Sequence, residues 1–517
     1  MPRFAAWAVI TPAGDAAATL TALINGTARP GRLEAELLAT LVRLARQVLA
    51  TVQPDLILLA TTKGDLPRWC AAICAAEPQL DGGPADLAAA LQKELGVTTY
   101  ALGAACASGP MALGEAARML LAGEARRILV LGGDRLGPFV EDGFTALKAV
   151  DPQGCHPFDA NRAGISLGET AAAVLLDLEP GAIRLQGWGA SLDAAHLTAP
   201  ARDGAGLAAC CRQTLARGQT KNPGLIIAHG TGTRANDDAE SLAYHQVCPG
   251  VPVTAWKAGL GHSLGACGLT EVALMAEALA HDRAVPGTLG LVEAHIPAPL
   301  ALLPPGEHRC AGPWLSPNAG FGGINAAVLL GSGEPLPLSP SSARLTARVS
   351  VDHLGWQSTP SEINGTWENS APAGHLPRPI SRQVLGQLDP TWGRLDGASR
   401  LLVHLGRVLG PWPADTAIVL LSTRGCLESD LRFERSRQAK AIDRQAFAYT
   451  LPSAPVGEAS IRLGLHGTGF VILGAADDAG RRSARRLLSE GAPAVLLARI
   501  ETGGTDSEIA WGERWEG

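Results

Sequence analysis

TTYALGAACASGPMALGEAARMLLAG, residues 98–123, is the stretch on which the reading of this chain turns. It reads as a short strand ending in small residues, then Cys106, then an amphipathic helix. A cysteine at a strand-to-helix junction faces the positive end of the helix dipole, which favours the thiolate and predicts a lowered pKa. Ala104, Ala105, Ala107 and Gly109 leave room for a substrate to approach. A lone cysteine at a helix start is more often a small core hydrophobe than a nucleophile. What decides between the two is the chemistry supplied elsewhere in the chain.

Outward from this junction, apolar runs alternate with helix-period segments. AAWAVI (5–10), DLILLATT (55–62), RILVLGGD (127–134), AAAVLLDL (171–178) and GLIIAHG (224–230) read as strands. RLEAELLATLVRLARQVLATV (32–52) and AARMLLAGEARR (116–127) read as helices. The alternation predicts an α/β protein in which helices cover a largely buried sheet. Gly-containing turns follow the strands, and α/β proteins place their chemistry at such turns.

The 517 residues exceed what one core usually serves, so more than one structural unit is expected. With 46% hydrophobic and 18% charged residues the composition is that of a globular protein. A net charge of −6 without a Lys/Arg stripe argues against nucleic acid as a partner. No apolar run reaches the length of a membrane span and the N-terminus lacks a signal-peptide pattern, so a cytoplasmic location is expected. Ten cysteines are too dilute for a disulfide scaffold, and neither Cys70/Cys74 nor Cys210/Cys211 has metal-knuckle spacing, so no metal site is expected.

Two further segments carry groups complementary to Cys106. In GLIIAHGTGTRANDDAE (224–240) a hydrophobic strand delivers His229 to its end, ahead of a Gly/Thr loop whose hydroxyls and amides can hold a polar chain. In WKAGLGHSLGACGLTE (256–271) Lys257 and His262 lie on a Gly-rich loop running into a helix. One histidine is usually structural; two at Gly-flanked strand ends point to catalysis. SPNAGFGGINAAVLLG (316–331) adds a Gly-rich turn whose amides can join that of Cys106 as an oxyanion hole. GLGHSLG (259–265) is not GxGxxG and lacks the preceding strand, which removes a dinucleotide site.

A Pro/Ser-rich segment, GEPLPLSPSSA (333–343), reads as a linker. Beyond it the chain looks like a decayed second copy of its own start. LARQVL at 44–49 recurs as LGRVL at 405–409, LLATTKGDL at 58–66 as LLSTRGCL at 420–427, and Leu102-Gly103 as Leu463-Gly464, all at one separation. That separation places Gly467 opposite Cys106, so the copy has no nucleophile. The domain boundaries expected are 1–333, a linker at 334–344, and 345–517.

With these residues in hand, 1–333 resembles the elongating, Cys-His-His type of β-ketoacyl-carrier-protein synthase, of the thiolase-like α-β-α-β-α fold. The resemblance rests on AACASG around Cys106, HPFDANRAGISLGE (156–169), AHGTGT with Asp237 and Glu240 downstream, the spacing of Lys257 and His262, and NAGFGGIN (318–325). It implies that Cys106 takes an acyl group from a carrier protein. His229 and His262 would then polarise a malonyl thioester and stabilise the enolate left by decarboxylation. It further implies a Lys257–Glu240 ion pair supporting the histidine loops, Thr231 and Thr233 on the pantetheine arm, Phe321 as gate and oxyanion-hole amide, and Asn325 as a structural support. No bound cofactor is implied. The partners would be an acyl carrier protein and, in a homodimer or heteromer, another ketosynthase-like subunit; Lys148, Arg162, Arg202 and Arg234 are docking candidates.

Residues 345–517 resemble the first half of the silent chain-length-factor partners of such enzymes. Two features depart from the family: an insertion before Cys106 is missing, and Ala319 stands where Phe is common. A non-decarboxylating thiolase would need a second cysteine, which GFGG (320–323) lacks, and an initiating synthase would have Asn where His262 stands. The alternative of a different class is a wholly non-catalytic chain-length-factor-like partner, against which the intact Cys106, His229, Lys257 and His262 argue.

Overall fold

The computed structural model describes residues 2–517 except Thr51, 76–80, 340–341, 361–362, Ser370, Ala373 and 504–507; 340–341 belong to the expected linker. The chain opens with β1 (Arg3–Ile10), α1 (Ala16–Ile24), α2 (Leu37–Leu49), β2 (Leu56–Ala60), α3 (Leu66–Cys74), α4 (Pro84–Leu95) and β3 (Thr99–Gly103). Next come α5 (Ser108–Leu121), β4 (Arg127–Gly133), α6 (Pro138–Ala146) and β5 (Ala171–Asp177). These strands form a sheet in the order β1-β5-β4-β2-β3, parallel from β4 to β3 and antiparallel elsewhere.

The following segment runs through β6 (Arg184–Leu192), α7 (Ala205–Arg217), β7 (Leu225–Ile227), α8 (Arg234–Val247), β8 (Pro252–Thr254), α9 (Lys257–Leu260) and α10 (Cys267–Ala280). Short strands β9 (Val285–Pro286), β10 (Ala301–Leu302) and β11 (Glu307–His308) lead to β12 (Trp314–Gly320) and β13 (Ile324–Gly331). A second sheet results, ordered β6-β13-β12-β7-β8-β10. α5 and α10 lie side by side between the sheets, α2 covers the outer face of the first and α7 that of the second. The layering is therefore α-β-α-β-α. Being enclosed on both faces, α5 is buried from Ser108 to Leu120, which explains its small and apolar composition.

The C-terminal segment holds β14 (Arg344–Val351), β15 (Gly355–Thr359), β16 (Asn364–Thr366), α11 (Ser381–Leu385), α12 (Gly397–Leu409) and β17 (Ala417–Ser422). It continues with α13 (Leu427–Gln438), α14 (Arg444–Ala448), α15 (Ala454–Leu463), β18 (Gly469–Leu473), α16 (Asp477–Ser489), β19 (Ala494–Glu501) and β20 (Ile509–Glu516). Its strand order, β14-β20-β19-β17-β18, has the same directions as β1-β5-β4-β2-β3. Detail repeats as well. A bulge falls between Phe4 and Ala6 of β1 and between Leu345 and Ala347 of β14, each against the same place on the facing strand. After β2, the Asp134 carboxylate accepts Thr61 Oγ1–H (2.6 Å) and the Thr62 and Lys63 amides. After β17, Glu501 does the same for Ser422 Oγ–H (3.0 Å) and the Thr423 and Arg424 amides.

The two sheets of this kind join edge to edge, β3 running antiparallel to β18 with Gly103 opposite Val471 and Ala101 opposite Leu473. α16 has a sheet on one face only, and its sequence DDAGRRSARRLLS is accordingly amphipathic where α5 is not. Charges seal the seam: Arg118 donates to Glu490 (2.8 Å), Arg486 to Glu124 (2.6 Å) and to Glu115.

The register expected from one constant separation needs correcting. Gly464 ends α15 in the left-handed conformation (φ 67°) as Gly96 ends α4 (φ 69°), so Leu463-Gly464 corresponds to Leu95-Gly96. The separation has already grown to 368 residues at that glycine, across the longer stretch between β17 and the end of α15, and the loop to β18 adds two more. Gly467 therefore precedes β18, and the turn standing where Cys106 stands is Gly474-Ala475-Ala476.

Candidate active site

Cys106 occupies the turn between β3 and α5, 9% exposed. The turn is tight: Ala105 is left-handed (φ 50°), and Gly320 packs so closely that a Cβ there would lie 2.9 Å from Ala104 O and 3.1 Å from Cys106 N. Only glycine fits at 320. The expected lowering of the thiol pKa is overturned, because burial pushes it up to about 12. Desolvation outweighs the Lys257 charge and the Phe321 and Cys106 amides, all of which favour the thiolate. Cys106 therefore rests as a neutral thiol.

His229 at the end of β7 and His262 beyond α9 meet Cys106 from two sides. One ring nitrogen of each histidine and Cys106 Sγ lie within 4.8 Å of one another, and the rings stand edge to face, 5.5 Å apart. Burial first, then the Lys257 charge, lowers both imidazole pKa values, that of His262 to about 3 and that of His229 well below its usual value. Both rings are neutral at physiological pH, so each carries one proton, and its position follows from the partners. His229 Nδ1 faces the Asn318 side-chain oxygen at 3.2 Å and must donate, leaving Nε2 as an acceptor. His262 Nδ1 accepts the Leu264 amide at 3.2 Å, so its proton is on Nε2.

The supporting residues are arranged differently from the expected scheme. Lys257 pairs with Glu271 (2.7 Å, both 1% exposed), not with Glu240; burial opposes the ammonium, but the Glu271 carboxylate outweighs it and raises the pKa. Glu240 instead accepts the His229 and Gly230 amides (2.7 Å each) and Tyr244 Oη–H, fixing the backbone that carries His229. α8 places Glu240 under that loop, whereas α10 brings Glu271 to Lys257. Asp237 accepts the Phe158 and Gly232 amides (2.7 and 3.2 Å), tying HPFDANRAG to the Thr loop; burial pushes its pKa up to about 7. The ISLG segment then holds His262 through its amide bond to Ser166 O (2.7 Å).

A cavity of about 770 Å³ opens on these groups, lined by Cys106, His229, His262, Thr231, Thr233 and Phe321 among others. Thr231 and Thr233 bond one another (3.0 Å), and Thr233 also caps α8. Asn325 does not line it; its side chain holds Asp193 (2.8 Å) one layer behind. Lys148 and Arg234 lie at the cavity, but Arg202 does not line it. Arg162 reaches the wall yet is buried at 2% and bonded to Asp238 (2.6 Å), so it is no surface docking residue. Asn318, Glu271 and Phe144 are the residues the sequence reading missed. Asn318 sits in the quoted NAGFGG run, and Glu271 one turn into α10 after Cys267, so both carried a positional signal; Phe144 carried none.

A thiol, two neutral imidazoles of opposite tautomer and a pair of turn amides, set in a five-layer α/β fold, define the class of thiolase-like condensing proteins. The chain belongs to the β-ketoacyl synthase family. Residues 75–180 match its N-terminal domain and 183–291 its C-terminal domain. The 3-oxoacyl-[acyl-carrier-protein] synthase 2 of Rhizobium meliloti is 34% identical over 251 residues, 44% of this chain; the match spans only 59% of that relative's length. A putative polyketide beta-ketoacyl synthase 1 of Streptomyces cyaneus is 31% identical over 350 residues, covering 62% of this chain and 79% of that one. Among solved structures, the PfaC keto synthase-chain length factor shares the fold over 100% of this chain and 78% of its own (TM-score 0.76, 14% identity). The ketosynthase ApeO in complex with its chain length factor ApeC, from Xenorhabdus doucetiae, matches 64% of this chain and 98% of its own (TM-score 0.57, 24% identity). No helix among the described residues is long and apolar enough to cross a membrane.

Proposed function

We propose that this chain catalyses decarboxylative condensation of an acyl group on Cys106 with a malonyl thioester delivered by an acyl carrier protein. The observation that carries it is the convergence of Cys106 with two neutral histidines of opposite tautomer in one cavity. As Cys106 attacks the acyl thioester, its proton passes to the unprotonated His229 Nε2, which compensates for the high thiol pKa; when the carrier's C–S bond breaks, the departing pantetheine thiolate takes that proton and the ring is neutral again. The amides of Cys106 and Phe321 hold the oxyanion. In the second half-reaction His262 Nε2–H donates to the malonyl thioester carbonyl, stabilising the enolate as carbon dioxide leaves, and the carbanion attacks the Cys106 thioester. Burial, reinforced by the Lys257 charge, keeps both imidazoles neutral, and Lys257 is a positioning residue. Thr231 and Thr233 hold the pantetheine arm, and no resident cofactor or metal takes part.

In the same reading, residues 345–517 are a degenerate first-half ketosynthase, a tethered partner without a nucleophile. The repeated strand order, bulge and carboxylate-bound turn support it. The unit also bears on the site: Phe447 packs against Phe144 (ring centroids 5.4 Å) so tightly over Gly143 that a Cβ there would lie 2.2 Å from its ring, and Phe144 lies 6.5 Å from the His262 ring. Phe447 thus backs the wall of the acyl pocket.

The test is product formation from acyl- and malonyl-carrier proteins. The wild type forms β-ketoacyl-carrier protein; His262→Ala loses malonyl decarboxylation yet still becomes acylated. Decarboxylation surviving in His262→Ala would remove that histidine from the mechanism. Wild type that neither acylates nor condenses with any donor would favour the non-catalytic partner.

A further inference from the structure

On the C-terminal unit, apart from Cys106, the start of α12, one face of α13 and Tyr449 enclose a second cavity of about 390 Å³. Arg378, Arg394, Arg400, Arg432 and Arg435 line it, against the carboxyls of Asp396 and Glu428. Both carboxyls are engaged. Asp396 caps α12 by accepting the Ser399 amide (2.8 Å) and Ser429 Oγ–H (3.2 Å), and Glu428 accepts from Arg378 (3.2 Å), which also bonds Glu508. Arg432 is held by Asp443 (2.7 Å). Arg394, Arg400 and Arg435 make no side-chain hydrogen bond or ion pair among the described residues, and Arg400 Nε is buried without a partner.

Arg394 and Arg435 reach solvent and Arg400, half-buried, feels the Glu428 and Asp396 charges, so a bound anion would replace water on guanidinium groups that have no protein partner of their own among the described residues. Planar guanidinium forks match phosphate oxygens bidentately, and on this wall five arginines outnumber two carboxyls. A concave cavity of this volume suits a small multiply charged anion.

The cavity shares its walls with the active-site support. α13 turns Arg432 and Arg435 toward the cavity, while Phe433 between them meets Phe139 edge to face (4.7 Å) and Phe447 at a tilt (5.1 Å). On α14, Ala446 lines the cavity and its neighbour Phe447 meets Phe144. We propose that this cleft binds a phosphate or diphosphate group of a small molecule, and that occupancy clamps α13 and α14 and so fixes the Phe447 wall of the Cys106 cavity. The clamp's effect on the acyl pocket rests on the pocket-shaping reading above; the binding site itself does not.

Calorimetric titration of the full chain with inorganic pyrophosphate tests it. One binding event is expected, weakened about tenfold or more by Arg400→Gln and by the Arg394→Gln/Arg435→Gln pair, in variants whose ligand-free unfolding temperature is unchanged. Arg234→Gln, at the catalytic cavity, leaves binding as it was. No binding by wild type, or binding that follows Arg234 instead of Arg400, overturns the site. Hydrogen exchange of 427–449 should slow with pyrophosphate, and unchanged exchange there overturns the clamp. Failure of Cys106 acylation would sink the catalytic reading while leaving these binding results standing.

Discussion

Cys106 and His229 form a pair in which neither partner is activated alone. A thiol pushed up to about 12 and an imidazole lowered well below its usual value keep the proton on sulfur until an electrophile arrives. The same burial predicts the pH behaviour. His262, lowered to about 3, and His229 stay neutral where a solvated histidine, with a pKa of about 6.5, would titrate. Malonyl decarboxylation should therefore show no inflection between about pH 5.5 and 7.5, and a step near the ordinary imidazole pKa would contradict the neutral-donor scheme. Stability moves with the opposite consequence. Below the unfolded-state pKa the unfolded chain takes up protons these rings refuse when folded, so their contribution falls as pH drops from 6.5 toward 3 and is unaffected above 6.5. Glu271→Gln should cost roughly 3–5 kcal/mol by leaving the Lys257 ammonium buried and unpaired, whereas Glu240→Gln should act mainly on the His229 backbone. Denaturation of the two variants compares them directly.

At the scale of elements, the α13–α14 hairpin is where the C-terminal unit meets the chemistry. Phe447→Ala should lower stability by about 3–5 kcal/mol and enlarge the space behind Phe144. Acylation of this variant by a ladder of acyl thioesters should shift toward longer chains; an unchanged preference would mean that the hairpin only covers surface. This wall could not be read from sequence, since Phe144 and Phe447 are ordinary aromatics more than 300 residues apart in the chain. The strand-to-helix junction, the His229 and His262 loops and the alternation of strands and helices could be read, because each is signalled by a local run of apolar residues ended by glycine. What failed was pairing across elements. The resemblance pairs Lys257 with Glu240, whereas α10 carries Glu271 to it. Likewise counting aligns Gly467 with Cys106, but the stretch carrying α13 and α14, between β17 and α15, is longer than its counterpart and moves the count.

For the whole molecule, the pairing of β3 with β18 has the largest consequence. The edge that one half-unit would leave open is occupied by the same chain, and buried charges such as Arg486 with Glu115 lock it. Arg486→Ala should destabilise the seam by roughly 3–5 kcal/mol, read by denaturant unfolding, because it leaves Glu115 buried without that partner. The β3 edge being closed, light scattering should return the mass of one chain, 53.3 kDa, and twice that mass would show that another surface associates. α16 records the same arrangement in its composition: its arginine-rich face replaces the second sheet that encloses α5.

The claim on which the rest depends is that Cys106 is the acyl acceptor. Intact-mass measurement after incubation with an acyl-carrier thioester tests it most directly. The wild-type chain should gain one acyl group, mapped to the Cys106 peptide, and Cys106→Ala none; an acyl adduct that persists in Cys106→Ala, or none in wild type with any donor, would contradict it.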